Sequence, residues 1–178
     1  ADWNAGRNMY IMGKLTDVNL NKEGISTVMS NVAGKVPPIF QQLEYVRFSG
    51  DATGYLHDLI ITGLLRTGVG TIKADVMMSI DKQQNRTYSG NIASADLNVG
   101  KLLDNEKKFG TADFNLELKG FNYKNHYPES YIKGNIASFE YSQYKYENIA
   151  LDGVYKDGGF NGKLAMDDDN GSVQINGN

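Results

Sequence analysis

The sequence predicts an all-β protein, built as one elongated, curved antiparallel sheet with one or two short helices near residues 23–43. Three observations predict this fold class. Apolar and polar residues alternate over many short segments, which is the period of a half-buried strand. The 20 glycines greatly outnumber the 3 prolines, and 11 tyrosines favour strands. A short glycine-containing motif also recurs along the alternating segments.

The predicted elements begin with a strand over residues 9–20, which two short helices follow. Ile25, Val28 and Met29 have the i, i+3, i+4 spacing of a helix within residues 23–31. Pro37-Pro38 favours the start of a second helix, because proline suits the first helical position. A strand over residues 45–52 comes next. Either helix could cover an open end or an edge of the sheet.

The later elements are strands joined by turns. Residues 72–80 carry apolar side chains at nearly every second position, and residues 114–118 and 160–166 repeat this pattern. Such segments have one apolar and one polar face. Residues 104–108 are the predicted loop near the midpoint. Asn170-Gly171 is a type I′ hairpin signal, so a last strand is expected after it.

The recurring motif consists of an apolar residue, a polar residue and a glycine. Its glycine falls on the apolar face of the predicted strand each time. Because glycine weakens a strand interior, its repetition predicts a bend, a bulge or a close approach of backbones. We interpret the copies as one long antiparallel meander in which each strand neighbours the next. They contain Gly50, Gly90, Gly120, Gly134, Gly153, Gly162 and Gly177.

Composition excludes several classes of function. The 18 Lys and Arg residues against 21 Asp and Glu residues give a net charge of −3, so no basic excess supports nucleic-acid binding. The absence of cysteine excludes disulfides, zinc thiolates and cysteine nucleophiles. No apolar run approaches the roughly 20 residues of a membrane span. We predict a single β-rich domain over residues 1–178, excised from a longer protein because the chain opens on Ala1.

No catalytic or metal-binding constellation is evident. The 2 histidines, His57 and His126, lie far apart in sequence, and neither accompanies a nucleophile elbow. The acidic run at residues 167–169 lacks the ligand spacing of a calcium loop and instead precedes the hairpin signal. We therefore predict no enzyme activity, no cofactor and no metal.

The apolar face of the sheet has two interpretations. In a sandwich, a solenoid or a barrel it would be a closed core, and the domain would have a structural or adhesive role without a ligand. In a sheet that curls without closing, the same residues would line a groove for a hydrophobic ligand. Alternation alone does not separate the two. The groove candidates are Phe114, Leu116, Leu118, Ile132, Ile136, Leu151, Tyr155, Phe160, Leu164 and Met166.

The second half of the chain resembles the translocation and assembly module (TamB) within the AsmA-like family. The resemblance lies in residues 88–92, 96–103, 109–120 and 132–136 and is strongest in YKYENIALDGVY at residues 144–155, followed by residues 160–168. Residues 46–54 resemble the family more loosely. These are strand repeats and not active-site signatures. The abundance of Asn and Tyr is similar to the Bacteroidota branch of the family.

The resemblance implies a β-taco, meaning a curled sheet with an open apolar trough. It implies a periplasmic segment of a long protein anchored in the inner membrane, with the anchor outside this chain. The implied roles are lipid transport between membranes and outer-membrane biogenesis in the cell envelope, including protein assembly and secretion. The implied partners are phospholipid acyl chains and, through regions outside this fragment, an Omp85-type outer-membrane protein. The family has no catalytic residues to transfer.

Overall fold

The computed structural model describes residues 10–33, 38–55, 57–122 and 129–177. Within these ranges ten strands form one antiparallel sheet in sequence order, and the sheet is not closed. The predicted all-β meander is therefore confirmed. The strands are β1 (Tyr10–Asn21), β2 (Tyr45–Tyr55), β3 (Asp58–Thr67), β4 (Gly70–Ile80), β5 (Arg86–Asn98), β6 (Phe109–Asn122), β7 (Glu129–Tyr141), β8 (Tyr144–Lys156), β9 (Gly159–Asp168) and β10 (Gly171–Asn176).

Two helices occupy the predicted region between the first two strands. Helix α1 (Lys22–Ala33) begins directly after β1, and helix α2 (Pro38–Gln41) precedes β2. Asn21 caps α1, since its side-chain oxygen accepts a hydrogen bond from the Gly24 backbone N–H at 2.9 Å. Both predicted helices are thus confirmed.

A third helix corrects the expectation that helix would be confined near residues 23–43. Helix α3 (Val99–Leu102) connects β5 to β6. Asn98 caps it by accepting a hydrogen bond from the Lys101 backbone N–H at 2.7 Å. A helix of one turn has no apolar periodicity, so the sequence pattern gave no sign of it.

Tight turns join the last four strands. Each turn between β7 and β10 leaves two residues between the paired strand ends, as at Asp168 and Gly171. A hairpin joins β9 to β10 as predicted, but the predicted type I′ turn at Asn170-Gly171 is wrong, because the two loop residues are Asp169 and Asn170 and neither has a positive φ angle. The carboxylate of Asp168 supports this turn by accepting a hydrogen bond from the Asn170 backbone N–H at 2.8 Å.

Irregular pairing shifts the alternation near one end of the sheet. The register slips between Leu15 and Val18 in β1 and between Ser94 and Leu97 in β5. Asp96 has a φ angle of +58° within the second slip. Asn148 in β8 has a φ angle of +52°, although the register between β7 and β8 does not shift there. An extra residue in one strand moves the following side chains to the opposite face. Leu97 therefore faces the same side as Ser94, although the two are an odd number of positions apart.

A small buried core lies at the end of the sheet that carries the helices. Ile25 of α1 and Leu43 before β2 pack with residues from the strand ends and the β3–β4 turn. An ion pair of 2.8 Å between Lys101 of α3 and Glu44 joins the connecting segments over this core. We call these residues the covered end; its buried members are Ile25, Leu43, Val46, Val69 and Leu97.

Candidate functional site

Apolar side chains form continuous rows across one face of the sheet, which we call the apolar face. The register of every hairpin places apolar positions or glycines opposite one another. The central row consists of Leu15, Gly50, Gly63, Ala74, Ile92, Leu116, Gly134, Leu151, Leu164 and Ile175. The neighbouring row toward the helices consists of Val18, Phe48, Leu65, Ile72, Ser94, Phe114, Ile136, Ile149, Met166 and Val173.

All ten predicted groove residues lie on the apolar face. Three belong to the central row, three to the row beside it, and four to the two rows farther from the helices. None is buried: eight are half-buried, whereas Tyr155 and Phe160 are 42% and 41% exposed. They are Phe114, Leu116, Leu118, Ile132, Ile136, Leu151, Tyr155, Phe160, Leu164 and Met166.

The covering layer of this face is confined to the covered end. The helices contact β1, β2 and β6. Over the rest of the face, the described part of the chain supplies neither a second sheet nor a helix. The apolar face is therefore open to any molecule that can reach it from solvent.

The motif glycines mark places where neighbouring strands approach closely on the apolar face. A Cβ atom added to Gly153 would lie 2.5 Å from the Asn161 carbonyl oxygen and 2.7 Å from the Gly162 Cα atom. Gly50 is similar, with the Gly63 Cα atom at 2.6 Å. Such separations leave no room for a side chain, because real Cβ contacts are longer. The glycines therefore allow adjacent strands to approach closely on this face.

Two tyrosines and a carboxylate extend the apolar face beyond the predicted residues. The rings of Tyr144 and Tyr146 have centroids 4.6 Å apart and an interplanar angle of 63°. Together with Asp168, Met166 and Val173 they line an open cavity of about 290 Å³. Of these residues the sequence predicts only Met166 as a site candidate; Tyr144, Tyr146 and Val173 were missed, and Asp168 was considered only as part of the acidic run. The available signal was the tyrosine content of residues 144–146, but the irregular backbone at Asn148 decides which face those tyrosines occupy.

The opposite face carries a polar ladder across the same ten strands. Its members alternate in charge through β6 to β9, and Lys133 lies 3.2 Å from Asp152 in an ion pair. The pKa of Asp152 is lowered because the Tyr131 hydroxyl donates to its carboxylate, and because Lys133 pairs with it. The ladder consists of Lys14, Asp51, Thr62, Asp75, Asn91, Glu117, Lys133, Asp152, Lys163 and Asn176.

Among the described residues, those considered for catalysis do not meet around one pocket: Asp168 lines a cavity of which His57 is not part. His57 stacks on Tyr55 with ring centroids 5.6 Å apart, at the end of the sheet away from the helices. His126 lies outside the described residues. Of the acidic run, Asp168 belongs to the apolar face and accepts hydrogen bonds from Tyr144 and Asn170. The predicted absence of enzyme activity stays a prediction.

Comparison with known proteins gives no relative for this chain: no family model matches it, and no curated protein or solved structure is significantly similar to it. Among the described residues, no helix is long and apolar enough to cross a membrane.

Proposed function

We propose that this chain is a non-enzymatic segment of a TamB/AsmA-like protein whose open apolar face shelters the acyl chains of phospholipids. The observation that carries the proposal is the accessibility of the apolar face. Ten strands contribute to its rows, and the described residues cover it only at the helical end. A structural or adhesive role is the competing hypothesis, and it predicts that this face binds no ligand.

The dimensions of the apolar face suit an acyl chain. Nine spacings of about 4.8 Å make each row about 43 Å long when measured along the sheet. The hydrocarbon thickness of one lipid leaflet is about 15 Å, half of the bilayer core. The face is therefore long enough for more than one acyl chain. Burial of each methylene group stabilises the bound state by about 0.8 kcal/mol.

The distribution of polarity supports movement along the face more than binding in a discrete pocket. The central row has no charged residue, and small gaps at glycines separate its larger side chains. The polar ladder on the opposite face keeps that side hydrated. A lipid could therefore slide along the row while its head group stays in water.

The cellular setting in this proposal rests on the family resemblance. In this setting the segment would lie in the periplasm, within a protein anchored in the inner membrane. There it would support phospholipid transport between membranes and outer-membrane biogenesis. An Omp85-type outer-membrane protein would be engaged by regions outside this chain.

A binding assay with a fluorescent fatty acid, cis-parinaric acid, tests the lipid-binding part of the proposal. We expect the purified chain to bind the probe, and we expect Leu164→Asp and Ile136→Asp to weaken binding while the protein remains folded. Lys163→Asp, on the opposite face beside Leu164, is the matched control and should bind normally. A folded wild-type chain that does not bind the probe would support the structural or adhesive hypothesis.

A hydrolase screen tests the non-enzymatic part. We expect no turnover of ester, phosphate or glycoside substrates. Turnover that His57→Ala or His126→Ala abolishes would contradict the proposal.

A further inference from the structure

Two tyrosine–aspartate pairs in the sheet make the same hydrogen bond in different electrostatic surroundings. On the polar face, the Tyr131 hydroxyl donates to Asp152 at 2.8 Å, and Lys133 pairs with the same carboxylate at 3.2 Å. On the apolar face, the Tyr144 hydroxyl donates to Asp168 at 3.0 Å. Within the described ranges, no lysine, arginine or histidine forms an ion pair with Asp168. Among the described residues, therefore, Asp152 has a cationic partner and Asp168 has none.

The second pair lies in a cavity that also presents aromatic rings. The cavity of about 290 Å³ is lined by Tyr144, Tyr146, Asp168 and Asn170, with Met166 and Val173 as its apolar part. The two tyrosine rings contact each other edge to face at 63°, and both line the cavity. The face of an aromatic ring attracts a cation through the ring quadrupole.

Hydrogen bonds fix the orientation of these groups. The Asn170 side-chain amide donates to the Tyr144 hydroxyl at 2.6 Å, and the Asn170 backbone N–H donates to Asp168 at 2.8 Å. A carboxylate has about four lone-pair positions, so two neutral donors leave acceptor capacity free. Its negative charge also remains uncompensated by these donors. The site is therefore arranged for a cation with an apolar surface.

We propose that this cavity binds an ammonium group, either a primary amine or a quaternary amine. Asp168 would supply the charge, and the rings of Tyr144 and Tyr146 would contact the apolar surface of the cation. Met166 and Val173 connect the cavity to the row beside the central one. An amphiphile could therefore place its ammonium head group in the cavity and its chain along the apolar face. The chain placement rests on the proposed function, whereas the ammonium site does not.

A titration of the folded chain with tetramethylammonium tests the site. Protein labelled with ¹³C at tyrosine allows the Tyr144 and Tyr146 ring signals to be followed by NMR. We expect saturable shifts of both signals, weakened by at least about fivefold in Asp168→Asn and in Tyr146→Leu. Asp152→Asn is the matched control, and it should bind as the wild type does. Equal binding by Asp168→Asn and wild type would overturn the proposal, as would an equal loss in Asp152→Asn.

Two further probes separate the source of the ammonium group from the proposed function. Binding of dodecyltrimethylammonium more tightly than tetramethylammonium supports an amphiphile head group, whereas equal affinities support a free amine in the same site. Dodecyl maltoside has the chain without the cation. If it binds and neither ammonium probe does, the ammonium site is overturned and the proposed function stands. If the two ammonium probes bind with equal affinity and dodecyl maltoside does not bind, the site stands and the proposed function fails. Displacement of ammonium by millimolar calcium would overturn the site in favour of a metal site.

Discussion

The covered end and the open remainder of the apolar face differ in burial although they belong to the same sheet. Val46 and Leu97 in the strands of the covered end are 9% and 5% exposed, whereas Phe160 and Ile175 on the open part are 41% and 54% exposed. The strands of both regions alternate apolar and polar residues in the same way. An amphipathic strand therefore indicates which side chains share a face, but not whether anything covers that face.

The connections between strands explain the difference. The segment between β1 and β2 contains α1 and α2, and the connection between β5 and β6 contains α3. These segments are long enough to fold back over the strand ends. The turns between β7 and β10 are too short to cover anything. Whether a region of the sheet is covered therefore depends on the length of the connections beside it.

The introduction of a charged residue should produce the largest difference in stability between the covered end and the open part. Leu97→Asp places an unpaired carboxylate in the buried cluster, and we expect a loss of about 4 kcal/mol or more in the free energy of unfolding. Leu164→Asp and Ile136→Asp should cost only about 1–2 kcal/mol, because their carboxylates can reach water. Urea unfolding measures all three. Equal losses would mean that the open part is as sealed as the covered end.

Truncation to alanine gives a smaller effect of the same kind. Leu97→Ala should leave a cavity and cost about 2–4 kcal/mol, whereas Leu151→Ala on the open part should cost about 1 kcal/mol. Urea unfolding monitored by circular dichroism provides the comparison. A larger loss at Leu151 than at Leu97 would contradict the assignment of the core to the helical end.

The close approach of β8 and β9 can be tested at one glycine. Gly153→Val should overpack the contact with Gly162 and cost roughly 1–3 kcal/mol. Gly13→Val is the control, since nothing lies within 4 Å of an added Cβ there. Thermal melts of both variants check this. An unchanged Tm in Gly153→Val would show that this glycine is not required for the close approach of β8 and β9.

The smallest expected effect is the pH dependence of the stability that Asp152 contributes on the polar face. The folded-state pKa of Asp152 is lowered by Tyr131 and Lys133, so the stabilisation is present above its unfolded pKa. That stabilisation is lost as the pH falls through the folded pKa, which lies below about 3.9. Asp152→Asn should therefore lower the Tm at pH 6 and have little effect at pH 2. The same difference in Tm between Asp152→Asn and the wild type at both pH values would contradict the pairing of Asp152 with Tyr131 and Lys133.

The sequence predicts the strands and their shared face well because period-two alternation depends only on local chemistry. It also predicts a hairpin between β9 and β10, although not its loop residues, and the close approach at Gly153. Helix α3 and the irregularities at Asp96 and Asn148 leave no periodic signal, and they decide where Leu97 and Tyr144 point. The openness of the face is not encoded in alternation at all, since it depends on which connections fold over the sheet.

Site-specific photocrosslinking in cells tests the central claim, that the apolar face is open and shelters acyl chains. Benzoylphenylalanine is placed at Leu164 on the apolar face or at Lys163 on the opposite face, and crosslinked lipid is identified by mass spectrometry. We expect phospholipid adducts at position 164 and none at position 163. The absence of adducts at both positions, or equal adducts at both, would contradict the claim.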